Sequence, residues 1–330
     1  MDIRCHSPFS PFWFRSQDAS GDFHDVVVVR ATYDLVDGRR LTIARDQEPV
    51  CVADAYWGAP NDSSVRQESD LAPFKPRNDV VVIGDAVAPE PTRSWEVHLR
   101  VDDETRALRV HGPRQFVKDG GGFTLTDAEP VDRVPLRYER AFGGAWDDGE
   151  TVRRCESNPI GLGWLPEESD PPDALPAPQI EDPARPVTSP RDETPPAGFG
   201  WTSRPWQPRL ALAGTYDEAW KEAQWPLPPH DFDHAFYNGA NPALITDRPL
   251  QGALITISGA SADGPLGFAA PRWEIDARFR YRGGRIATHP TRLDTLVIDL
   301  HASKVSCVHR VRVPKVDELR VLEICMREAS

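Results

Sequence analysis

The stretch Trp95-Glu-Val-His-Leu-Arg-Val101, followed by Asp102-Asp-Glu-Thr105 and then Ala107-Leu-Arg-Val110, decides the fold class. Apolar side chains at 95, 97, 99 and 101 alternate with polar ones at 96, 98 and 100, the period of a half-buried strand. The acidic tetrapeptide after it reads as a turn, and Arg106–His111 as the returning arm of a hairpin. Upstream, Val26–Val36 and Val80–Val87 are short, Val-rich and bounded by Gly, Pro, Asp or Asn, as is Val134–Arg140 downstream. Gly120-Gly-Gly122 marks a further turn. Near the end, Trp273, Ile275, Ala277, Phe279 and Tyr281 alternate with polar residues before a Gly283-Gly284 turn. Leu296–Leu300 and Val305–Val313 read as a strand pair, and Leu319–Met326 as a closing strand. No βαβ rhythm and no fixed repeat interrupts this pattern. The expected architecture is all-β, of mainly antiparallel packed sheets in a sandwich-like arrangement, with long Pro-rich ordered loops and one or two short helices.

Composition agrees. The 330 residues are 39% hydrophobic and include 10 Trp and 13 Phe, enough to bury a core. One residue in ten is proline, 33 in all, against a usual rate of about 5%. Proline removes a backbone donor and breaks helix interiors, so a largely helical chain is excluded. The net charge of −13 would repel a phosphate backbone, and no basic stripe offsets it, so nucleic acid is not an expected partner. The longest apolar runs, Val26–Val29 and Val80–Ile83, fall far short of the ~20 residues of a membrane span. MDIRCHSPFSPFWF carries no basic segment followed by an apolar one, so the expected location is cytoplasmic. Cys5, Cys51, Cys155, Cys307 and Cys325 are odd in number and scattered, which suits neither a disulfide framework nor a zinc finger.

The texture changes between residues 155 and 240. Pro166–Pro208 holds 12 prolines, yet the region also carries Trp164, Phe199, Trp201 and Trp206. It reads as an ordered excursion that lays its aromatics on the sheets, between β-rich stretches at 1–154 and 241–330 of one continuous unit. Within it, Thr215-Tyr216-Asp217-Glu218 has the form of a capping box, Asp217 can pair with Lys221, and Pro226 ends the run.

Several clusters could carry chemistry. His230-Asp231-Phe-Asp233-His234 is the densest set of metal-ligand types and would suit a metal-dependent hydrolase. Pro226, Pro228 and Pro229 argue against the helix that would align its histidines, so the plainer reading has both Asp accepting bonds from loop amides or a buried Arg. Cys155 sits beside Arg153 and Arg154, which could activate a thiolate, but has no assignable His partner. Trp201, Trp206, Trp220 and Trp225 could form the stacking platform of a carbohydrate-binding module, or serve the core. Arg137-Tyr138-Glu139-Arg140, followed by Ala141-Phe142-Gly-Gly144, could form a buried ion-pair network or grip a partner's carboxylate. No phosphate loop, nucleophile elbow or zincin helix is present, so no cofactor is expected.

Taken in order, LAPFKPRNDVVVIGDAVAP (71–89), LRYERAFGG (136–144), NPIGLGW (158–164), FGWTSRPWQPRLALAGTYDEAW (199–220) and LPPHDFDHAFYNGA (227–240) resemble one bacterial family. It is a family of unknown-function domains encoded beside VgrG and PAAR-repeat genes in type VI secretion clusters. The resemblance runs from about Val26 onward. It implies a cytoplasmic adaptor or chaperone, not an enzyme, that binds a PAAR-containing effector and helps load it on the VgrG spike. The residues it marks as partner-binding or structural are Arg137, Tyr138, Glu139, Arg140, Phe142, Asn158, Trp164, Trp206, Arg209, Tyr216, Asp217, Trp220, Asp231, Asp233 and Asn238. The chain departs from the family's form at Pro229-His230, where one residue usually precedes Asp-Phe-Asp, and around Leu244–Leu250.

Overall fold

Strands dominate the computed structural model, which describes residues 1–328. The largest sheet has seven strands, with Ser10–Gln17, Phe23–Val36, Lys304–Pro314, Arg292–Asp299, Asn78–Ile83 and Ile245–Thr246 in spatial order and Arg40–Ile43 attached to Phe23–Val36. A five-stranded sheet runs Ile180–Glu181, Glu104–His111, Ser94–Val101, Leu254–Ser258, Leu266–Ala269. A four-stranded sheet runs Asp2–His6, Leu319–Glu328, Trp273–Tyr281, Ile286–Pro290. Small two- and three-stranded sheets complete the set, and one of them uses the Gly120–Gly122 turn between Gln115–Asp119 and Gly122–Leu125. Pairing is mostly antiparallel. Three parallel strand pairings among the described residues depart from that pattern, Arg292–Asp299 with Asn78–Ile83, Asp2–His6 with Leu319–Glu328, and the short Phe142–Gly143 with Leu162–Gly163.

The hairpin at 95–110 forms with Val101 opposite Glu104 and Trp95 opposite Val110. Its turn is therefore Asp102-Asp103, shorter than the tetrapeptide expected, and Asp102 takes the left-handed conformation that Asp tolerates (φ 52°). Val97, Leu99, Val101, Leu108 and Val110 point into the core while Arg100 and Arg106 face water. Val26–Val29 is an unbroken apolar run for a different reason. Val27 and Val29 enter the main core, whereas Val26 and Val28 pack on the opposite face with Val50 and Val308. A strand covered on both faces does not alternate. Each fully buried Val contributes about 1.5–3 kcal/mol.

Other expectations need correction. Val80–Val87 is two strands in different sheets, Asn78–Ile83 and Asp85–Thr92, broken at Gly84, where a Cβ would meet Leu300 at 2.9 Å. Val134–Arg140 is not one strand either. The ladder Val131–Pro135 stops at a residue that has no amide to donate, and Tyr138–Arg140 is a 3-10 turn. The one α-helix among the described residues is Glu218–Ala223, accompanied by four 3-10 turns. Asp217, not Thr215, caps the helix by accepting from the Trp220 amide at 2.8 Å. Lys221 pairs with Glu218 rather than Asp217.

All three stretches of the chain feed the main core, for example Val97, then Trp201 and Trp206, then Ile275 and Phe279. A second cluster of Phe116, Phe142, Leu165, Leu175, Ala177 and Val187 lies under the Pro-rich segment. No helix among the described residues is long and apolar enough to cross a membrane.

Candidate functional site

Arg137–Arg140 does not form the ion-pair network that its composition suggests. Glu139 accepts from the amide and hydroxyl of Ser64 at 2.8 and 2.7 Å. Arg137 lays its guanidinium over Trp57, 3.5 Å from the ring centroid. Arg140 is exposed and has no ion-pair partner among the described residues. The buried member is Tyr138, which meets Trp206 edge-on at 5.4 Å and whose hydroxyl accepts from Asn241 Nδ2 at 2.9 Å. Burial pushes its phenol pKa up, so it acts as a neutral hydrogen-bonding post.

Asn158 holds this turn in place. It is fully buried, and its Nδ2 donates to the carbonyls of Tyr138 and Phe142 at 2.8 and 3.0 Å. Gly143 passes so close that a Cβ there would sit 2.2 Å from the Asn158 carbonyl oxygen, and its φ of 145° belongs to glycine.

Arg209 is the centre of a second buried cluster. Its Nε donates to the Phe236 carbonyl at 3.0 Å, Nη1 to the Thr202 carbonyl at 2.7 Å, and Nη2 to Glu68 Oε1 at 2.5 Å. Arg204 reaches the same carboxylate oxygen at 3.0 Å. Beside it, Asn238 Nδ2 donates to Asp79 Oδ1 at 2.7 Å, while Lys75 Nζ and the Gly239 amide hold Asp79 Oδ2 at 2.6 and 2.9 Å. Further into the seven-stranded sheet, Arg310 pairs with Asp294 at 2.8 Å and Arg30 with Asp70 at 3.1 Å. These bonds tie the segments 68–79 and 202–239 to the largest sheet. Glu68, Asp79 and Asp294 were invisible as site residues in the sequence. Their only trace is an acidic side chain at or near the head of an apolar run, as in Asn78-Asp79-Val80 and Asp294-Thr-Leu296.

The His230–His234 pentapeptide has its side chains engaged separately. Asp231 accepts from the Thr215 amide and hydroxyl at 3.0 and 2.7 Å, and those bonds hold its carboxyl below the usual range. Asp233 caps the 3-10 turn His234–Tyr237 by accepting from the Ala235 amide at 2.8 Å. His234 packs its ring against Phe74, with centroids 4.8 Å apart. Among the described residues no group of three or more His, Cys, Asp or Glu is placed to hold a metal ion. The four tryptophans are likewise divided. Trp201 and Trp206 are buried, Trp220 stacks edge-on to the exposed Tyr216 at 4.6 Å, and Trp225 is 67% exposed. Cys155 is buried with Sγ 3.4 Å from Ser157 Oγ, and Arg153 turns away to the Glu168 carbonyl and Asp148.

What the motifs do share is a cleft of about 890 Å³. Tyr138, Phe142, Cys155 and Trp164 line it together with the strand residues Thr105–Leu108, the Pro-rich residues 182–185 and 192–199, and residues from 202–208 and 241–243. Its size falls in the range of ligand-binding clefts, and most of its side chains are apolar.

No curated protein and no solved structure matches the chain. One family profile does, over residues 20–310. The chain therefore belongs to the DUF2169 family of uncharacterized proteins conserved in bacteria.

Proposed function

We propose that this protein is a type VI secretion adaptor-chaperone, which binds a PAAR-containing effector in the cytoplasm and promotes its loading onto the VgrG spike. The carrying observation is that three of the five motifs resembling the adaptor family meet at one large apolar cleft, lined by Tyr138 and Phe142, by Trp164, and by Phe199 and Pro208. Most of the polar site residues in the motifs are engaged in bonds within the protein, Arg140 being the exception. Asn158, Arg209, Asn238, Asp231 and Asp233 bond to backbone or to buried partners, which gives them positioning roles. The surface they support suits holding a partner rather than turning over a substrate. A net charge of −13 favours a basic client, since opposite fields speed encounter.

Co-expression with the PAAR-containing effector encoded beside it, followed by pull-down and a measurement of effector solubility, tests the proposal. A stable complex that raises soluble effector is the expected result. Absence of a complex with both the effector and VgrG would overturn it.

A further inference from the structure

The cleft contains a stretch of unpaired sheet edge. In the five-stranded sheet the only strand among the described residues that pairs with the outer side of Glu104–His111 is Ile180–Glu181, opposite Arg109 and Val110. The His111 amide donates outward to the Gln179 carbonyl, and the next amide, that of Gly112, donates the other way to the Arg93 carbonyl. Strand polar groups alternate sides, so those of residues 105, 107, 109 and 111 all face outward. Arg109 and His111 are served by the short strand. Thr105 and Ala107 lie beyond its end and line the cleft. The Thr105 carbonyl takes Arg106 Nη1 at 3.1 Å, which leaves both amides and the Ala107 carbonyl without a protein partner among the described residues.

The short strand cannot extend to cover them. Glu181 is pinned by His111 at 2.8 Å and Arg114 at 2.9 Å, and Asp182–Arg185 then turns back on itself with the Arg185 amide on the Asp182 carbonyl. Space therefore opens where the next strand residues would lie, and the apolar cleft fills it.

Charge around the cleft is one-sided. Arg185 is paired with Asp182, and Arg106 with Glu104. Asp192 is occupied with the amides of Thr188 and Ser189. Glu156 and Glu193 are exposed lining residues with no ion-pair partner among the described residues.

We infer that the cleft takes one extended segment of a protein client, which pairs its backbone with Thr105 and Ala107, buries alternate apolar side chains, and sets flanking Lys or Arg against Glu156 and Glu193. This is strand addition, in which main-chain bonds supply affinity and pockets for alternate side chains supply selectivity. The adaptor reading supplies the source of the segment.

The test uses the full chain and two variants. Ala107→Pro deletes the outward amide and leaves the inner ladder intact, because residue 107 gives no bond to Ser94–Val101 on that side. The double variant Glu156→Lys with Glu193→Lys changes only exposed side chains and guards against a folding failure of the first. The probe is a fluorescein-labelled nonapeptide of alternating Val and Thr with Lys at both ends, read by anisotropy against the same peptide ended with Glu. The Lys-ended peptide is expected to bind saturably, and about tenfold more weakly to either variant. The charge-reversed variant is expected to prefer the Glu-ended peptide.

No saturable binding, equal binding of the two peptides, or wild-type affinity in both variants would overturn the inference. So would binding of anilinonaphthalene sulfonate that neither peptide displaces, which would make the cleft a small-molecule site. The same variants enter the effector pull-down. Effector bound equally by wild type and both variants removes the cleft and leaves the adaptor reading. Peptide bound without effector does the reverse.

Discussion

Replacing Arg209 with Ala removes a guanidinium whose side chain is 6% exposed and which bonds to a carboxylate exposed to the same degree. Breaking a buried pair from one side costs about 3–5 kcal/mol, because the partner charge is left in a poor solvent. Here Arg204 still reaches Glu68 Oε1 at 3.0 Å and retains part of the compensation. Against that, the carbonyls of Thr202 and Phe236 lose their donors, at about 1–3 kcal/mol each if they stay dry. Water entering the vacated volume lowers that second cost, so the expected loss is about 4 kcal/mol. Set beside a typical domain stability of about 5–15 kcal/mol, this is a large fraction. Urea unfolding followed by tryptophan fluorescence measures it, with the slope checking that the denatured state is unchanged. Adding Glu68→Gln to the variant is expected to cost less than the sum of the two singles by about 1 kcal/mol or more. A loss under about 1 kcal/mol with an unchanged slope would refute the reasoning, since it would mean that the site is hydrated in the folded protein.

Gly239→Ala places a Cβ 1.6 Å from Glu68 Oε2, a carboxylate that Arg209 holds still, and should destabilise by more than about 3 kcal/mol in the same assay. Asn158→Ala strips two buried carbonyls of their donor and is expected to cost about 2–4 kcal/mol while the seven-stranded sheet retains its amide protection in hydrogen exchange. His309 is buried within the seven-stranded sheet, and burial holds its pKa at about 4, a shift that Asp294 only partly opposes. The unfolded chain takes up that proton from pH ~6.5 downward and the folded chain does not, so stability falls from there to about pH 4 and then levels. The expected loss is about 2 kcal/mol by pH 5, and His309→Gln should flatten that part of the stability curve.

Hydrophobic period made the strands legible wherever one face is wet, as in Trp95–Val101 and Trp273–Tyr281. It also marked Val26–Val29, although only the structure shows that Val26 and Val28 meet a second cluster on the far face. Period alone cannot say which strand neighbours which, so the parallel pairing of Arg292–Asp299 with Asn78–Ile83 was hidden. The break at Gly84 was hidden too, because Gly84-Asp85 interrupts the apolar run for only two residues before Ala86-Val87 resume it. Around the site, local bonds were readable. Asp231 and Asp233 accept from loop amides as their setting among prolines suggested. Long-range partners were not. Glu68 and Arg209 stand 141 positions apart, and nothing in the composition of either neighbourhood names the other. The cleft was equally invisible, since it lies between a strand edge and a Pro-rich segment whose path only tertiary packing fixes.

The pairing of Asp2–His6 with Leu319–Glu328, and of Phe23–Val36 with Lys304–Pro314, has a consequence for how the molecule is made. In each case a strand leaves the ribosome well over 200 residues ahead of its neighbour. At about 5–20 residues per second, Phe23–Val36 waits roughly 15–60 s for the strand that will cover its free side. During that interval its run of valines presents an open edge to every other nascent chain, which is the condition under which strands pair with the wrong partner. Premature release before residue 304 would leave two sheets open at once. Its soluble yield should rise on slowing initiation more than on lowering the growth temperature alone.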